Sequence, residues 1–210
     1  MNPVVRLGNG AQDILESLRV GDFLAPLLLR LYLAPVFWVA GMNKLLSFDS
    51  TANWLGNPDW GLGLPYPEVL TVLVILAELG GSVLLLFGLA VRWIAIPLLI
   101  TMVVAATTVH WGNGWQAVAD PMSPFASETL GPLAFESGSA AAAGERTEAA
   151  ESLLREHGNY DWLTEQGSFV VSNNGIEWAT TYFVMILALF FLGAGRFVSL
   201  DYWLARRFRA

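Results

Sequence analysis

Residues 26–44 read PLLLRLYLAPVFWVAGMNK, an apolar run of membrane-crossing length with Arg30 inside it and Lys44 at its end. A hydrocarbon core about 30 Å thick takes roughly 20 helical residues to cross. A charged side chain near the middle of that core costs at least ~2.5–3.5 kcal/mol, so it turns to the protein interior and takes a partner. The run therefore sets the fold class, an all-α membrane protein, and raises the first question about a site: what Arg30 pairs with.

Composition agrees with a bilayer environment. Of 210 residues, 55% are hydrophobic and 14% charged, and the 9 Trp and 12 Phe gather near the ends of apolar runs, as in an interfacial aromatic belt. A net charge of -7 argues against nucleic-acid binding, which needs clustered Lys and Arg. Without cysteine, the chain makes no disulfide and ligates no iron–sulfur cluster. The opening MNPVVRLGNGAQDILESLRVGD has no apolar h-region, so no cleaved signal peptide is predicted.

Four segments are apolar enough to span, at about 23–46, 67–89, 93–111 and 176–193, and they predict a four-helix bundle in a single membrane domain. Arg6 and Arg19 precede the first, Arg92 lies between the second and third, and Arg196, Arg206, Arg207 and Arg209 follow the fourth. This bias puts both termini in the cytoplasm, including the tail 196–210, with loops 47–66 and 112–175 outside. The outer loop 112–175 is far longer than an ordinary connection. Its alanine-rich middle, a Glu151/Arg155 pair at i,i+4 and Gly158 predict a short amphipathic helix there. The following NYDWLTEQGSFVV is expected to dock or to add a short strand.

Counting from the cytoplasmic ends at ~1.5 Å per residue places Arg30 about 10 Å deep and Glu78 about 16 Å deep, and the two are predicted to pair. Such a pair fixes helix register or serves a proton or quinone site. Arg30, Gly41 and Lys44 share one helix face, and Gly81 lies on the second span in a small-xxx-small pair with Ala77. A second polar group, Asn43, Lys44, His110 and Glu177, is expected to converge at the outer mouth. Each member also has a plainer reading: a snorkelling lysine, a belt histidine, and a capping box formed by Asn174 and Glu177. Arg30, Glu78, Lys44, His110 and Glu177 are thus the candidate chemical residues. For a metal, His110, His157 and Met122 are the weak candidate ligands of copper, without any closely spaced pair.

The stretches RLYLAPVFWVAGMNKL, AELGGSVLLLFGLAVRW and FFLGAGRFVSLDYWL together resemble the DoxX family of small four-helix bacterial membrane proteins. The resemblance places that family's signature on Arg30, Gly41, Lys44, Glu78, Gly88, Gly195 and Asp201. Through HGNYDWLTEQGSFVVSNNGIEWATTYF, the long loop looks like a subgroup encoded beside copper-binding, ribosomally made peptides and their maturation enzymes. What the resemblance implies is an inner-membrane protein tied to redox or metal (copper) stress. Some relatives are quinone-linked oxidoreductase subunits; others assist partner enzymes.

Three functions follow as expectations. The first is an accessory component in copper-peptide maturation or stress response, working with lipid and with protein partners encoded nearby. The alternative is a membrane oxidoreductase subunit that takes quinone as cofactor. The third is a small-solute carrier, for which four spans would be supplemented by a homo-oligomer.

Overall fold

The computed structural model describes residues 2–118, 120, 138–170 and 172–208. Met122 lies outside the described residues. Every extended element among them is helical, apart from one isolated antiparallel bridge between Val118 and Ser172. The chain divides into two compact units, residues 1–100 with 184–210, and residues 101–183.

The first unit begins with α1 (Pro3–Ser17), whose start is fixed locally: Asn2 accepts a hydrogen bond from Val4 N at 3.0 Å, and Pro3 occupies a position where no N–H is needed. α2 (Leu24–Leu46) follows after a short 3-10 turn, then α3 (Phe48–Gly56). The next span is built of α4 (Pro67–Ile75), a π-turn at Leu76–Gly80 and α5 (Gly81–Phe87). α6 (Val91–Val104) then runs into a second π-turn at Ala105–His110 and a 3-10 turn at Trp111–Asn113.

Among the described residues three stretches, Leu24–Leu46, Pro67–Phe87 and Val91–Asn113, are long and apolar enough to cross a membrane. The fourth predicted span, 176–193, matches a helix to within one residue at each end but is shorter than those three. Its helix covers only Glu177–Leu192, 16 residues, because Asn174 and Gly193 take left-handed backbone at φ 57° and 78° and bracket it. Further helices are α7 (Gly138–His157), α8 (Tyr160–Leu163), the bracketed helix α9 (Glu177–Leu192) and α10 (Leu200–Phe208).

In the first unit α2 packs along α4 and α5. Leu33, Phe37, Leu85, Leu98, Ile186 and Leu189 are essentially inaccessible and make its core. The opposite faces of the spans carry exposed Leu28, Leu31, Val72, Leu76 and Ile100, the apolar coat expected of helices solvated by lipid. Pro35 and Pro97 sit inside α2 and α6 without ending either helix.

Candidate functional site

Arg30 and Glu78 do not pair. Arg30 is fully buried, and its guanidinium donates from Nη1 to Leu85 O at 3.2 Å and from Nη2 to Val198 O at 2.9 Å. Leu85 lies in the last turn of α5, where its carbonyl accepts from Gly88 N at 3.1 Å and takes Arg30 as a second donor, so Arg30 caps that helix end and binds the chain beyond α9 with the same fork. Arg30 Nε has no hydrogen-bond partner among the described residues.

The partner of Glu78 is Lys44. Lys44 Nζ lies 2.8 Å from both Oε1 and Oε2, a two-point ion pair in which Glu78 is 4% exposed and Lys44 33%. Side-chain direction explains the exchange of partners. Cα–Cβ bonds tilt toward a helix's N-terminus. Arg30 therefore leans back toward the hairpin joining α5 to α6. On the antiparallel helix Glu78 leans away from that hairpin, and Lys44, fourteen residues or about 21 Å further along α2 than Arg30, leans back to meet it.

Local structure presses this pair into place. Glu78 lies in the π-turn Leu76–Gly80, where a wider turn re-aims side chains relative to a regular helix. Gly41 makes room opposite: a Cβ there would come within 2.8 Å of the Leu79 side chain and 3.1 Å of Glu78 Cβ. One helical step inward, Ser82 Oγ donates to Ala34 O at 2.6 Å, a further polar tie between the same two helices.

The hairpin end is held by residues that are distant in sequence. Gly88, at φ 64°, ends α5 in left-handed backbone, and a Cβ there would land on Arg30 Nη1 and within 2.7 Å of Ser199 Cβ. Asp201 accepts from Ala90 N at 2.7 Å and Val91 N at 3.0 Å, capping the first turn of α6, while its own N–H donates to Gly88 O at 2.9 Å. Arg92 Nη2 donates to Phe191 O at 3.0 Å, at the end of α9. Gly195 lies against Pro26, and Gly81 faces Leu98 and Ile94. Arg92 looked in the sequence like no more than a charge that sets orientation; nothing there marks it as a cap. Asp201→Ala is expected to lower stability by about 1–2 kcal/mol, the worth of a good helix cap, measured as unfolding in detergent micelles.

In the second unit, His110 ends the π-turn Ala105–His110 and its Nδ1 lies 2.8 Å from Asn174 O. Asn113 Nδ2 donates to the same carbonyl at 3.1 Å. Glu177 Oε2 accepts from Ala117 N at 2.9 Å. The capping box of Asn174 and Glu177 is therefore not formed: Asn174 has turned to left-handed backbone, and the Glu177 carboxylate is spent on a loop sixty residues away in sequence. His157 is an exposed residue at the end of α7, beside Glu156 at 3.8 Å. The Glu151–Arg155 contact is 3.9 Å, with the Arg155 guanidinium 3.8 Å over the Tyr160 ring. Asn43 and Lys44 belong to the first unit, His110 and Glu177 to the second. Among the described residues no group of three or more His, Asp or Glu is placed to hold a metal ion.

No curated protein and no solved structure matches the chain. The family model DoxX does match, over residues 25–111. That stretch runs from the start of α2 to the end of the second π-turn and holds Arg30, Gly41, Lys44, Glu78 and Gly88. Over that stretch, less than half of its 210 residues, the chain is similar to the DoxX family.

Proposed function

We propose that this protein is an accessory component of a bacterial inner membrane, supporting copper-binding peptide maturation or defence against redox and copper stress beside partners encoded nearby. In this reading α9 is a fourth, short span, both termini are cytoplasmic, and 112–175 is the outer loop that meets the partner. Arg residues flanking α1, the α5–α6 hairpin and α10 support the orientation.

The observation that carries the reading is how the charged side chains of the first unit are used. Arg30, Arg92 and Asp201 each bind helix-end backbone. Arg196 pairs with Asp22 at 2.7 Å. Such a distribution builds a rigid membrane body and favours a supporting role over turnover. Deletion of the gene is expected to lower copper tolerance and to be rescued by the intact chain. Unchanged tolerance, together with no co-encoded peptide or modifying enzyme recovered on the tagged protein, would overturn the reading.

The quinone-linked alternative draws on the Lys44–Glu78 pair. A one-third-exposed ammonium beside a buried carboxylate could donate to a carbonyl headgroup while the carboxylate relays a proton. Purified protein that neither binds nor reduces a quinone analogue with its partners present would rule it out.

A further inference from the structure

α1 has a sorted surface, and among the described residues 4–17 no side chain of it is buried. At 100° per residue, Val4, Leu7, Ala11, Ile14 and Leu15 fall within about 100° of arc, while Asn9, Asp13 and Glu16 fall on the other side. The apolar residues are left open: Val4 is 73% exposed, Leu7 78%, Ile14 67% and Leu15 60%. In water such a face would need a partner.

The position of the helix identifies what covers it. Only the turn Leu18–Gly21 and two residues separate α1 from the membrane-spanning α2. The junction is fastened: Arg196 donates from Nε to Asp22 Oδ1 at 2.9 Å and from Nη2 to Arg19 O at 3.2 Å, and Phe23 meets Phe197 edge-on with centroids 5.7 Å apart. α1 thus starts from the boundary of the spanning helices, where α2 itself exposes the apolar Leu24 and Leu28.

We propose that α1 is an in-plane membrane helix, its Val4/Leu7/Ile14/Leu15 face sunk into the headgroup–acyl boundary of the bilayer leaflet at the hairpin end. Burial of apolar surface drives the contact. One Arg stands against Asp13 and Glu16 within α1, so anionic lipid is not required.

The chain contains no cysteine, so single cysteines report without background. Full-length protein carrying Leu7→Cys, Ile14→Cys, Asn9→Cys or Asp13→Cys is nitroxide-labelled and reconstituted in phosphatidylcholine vesicles. All four sites are exposed, so folding is not at stake. Labels at 7 and 14 are expected to show a several-fold higher ratio of oxygen to water-soluble nickel-chelate collisions than labels at 9 and 13. That ratio is expected to hold when anionic lipid is mixed in. Equal ratios at all four sites would overturn the proposal. So would labels at 7 and 14 shielded from both reagents, the signature of a protein partner or a second copy, or a difference seen only with anionic lipid.

Discussion

Arg30→Leu is expected to destabilise the protein by about 3 kcal/mol, seen as a fall in the thermal midpoint in detergent. That is the loss of two hydrogen bonds from a charged donor, worth about 1.5–3 kcal/mol each before relaxation. Leucine fills some of the volume but removes one of the two donors to Leu85 O, which keeps Gly88 N at 3.1 Å, and takes the guanidinium away from Val198 O. It also strips the helix end of the positive charge that suits its dipole. Arg30→Lys is expected to recover only part of the loss, because one ammonium does not reproduce a planar fork reaching two carbonyls. The Lys44–Glu78 pair should be untouched in both variants. A thermal midpoint for Arg30→Leu equal to that of the parent would remove the capping role.

The second large effect lies at the other charged site. Lys44→Met alone is expected to cost about 3 kcal/mol, the lower end for a broken buried pair, since Lys44 keeps a third of its side chain exposed. It strands a carboxylate that is almost fully enclosed. Removing both charges, as Lys44→Met with Glu78→Leu, is expected to be close to neutral for stability, because desolvation of the pair offsets most of its attraction. Chemical unfolding of the parent and the two variants in one micelle system gives the comparison. If the double variant is as unstable as Lys44→Met, the loss comes from packing and not from an unpaired Glu78.

These expectations differ from those the sequence invites, and the difference has a traceable cause. Depth counting treated Arg30 and Glu78 as points on a helix axis and ignored the tilt of side chains toward each helix's N-terminus. Applied to antiparallel spans, that tilt separates Arg30 from Glu78 and brings Lys44 to it. Hydropathy was enough for the three long spans, whose apolar runs are continuous. For the fourth, the predicted 176–193 and the helix Glu177–Leu192 differ by one residue at each end, and its 16 residues are fewer than those of the three long spans. The two π-turns left no trace in the hydropathy pattern: Ala105–His110 holds no Gly or Pro, Leu76–Gly80 ends on a glycine that suits close helix packing equally well, and both read as ordinary helix. Arg30 acts on backbone carbonyls, which have no sequence signal of their own. Asp201 entered only through a family resemblance, and its place on Ala90 and Val91 is a matter of tertiary structure.

Double-mutant coupling gives the most direct test of which charges belong together. With Arg30→Leu, Lys44→Met and Glu78→Gln combined pairwise, Lys44 and Glu78 are predicted to couple by about 1–3 kcal/mol. Arg30 and Glu78 should add to within about 0.5 kcal/mol, as separated sites do. Strong coupling of Arg30 to Glu78, with additivity between Lys44 and Glu78, would contradict the arrangement of charges described here.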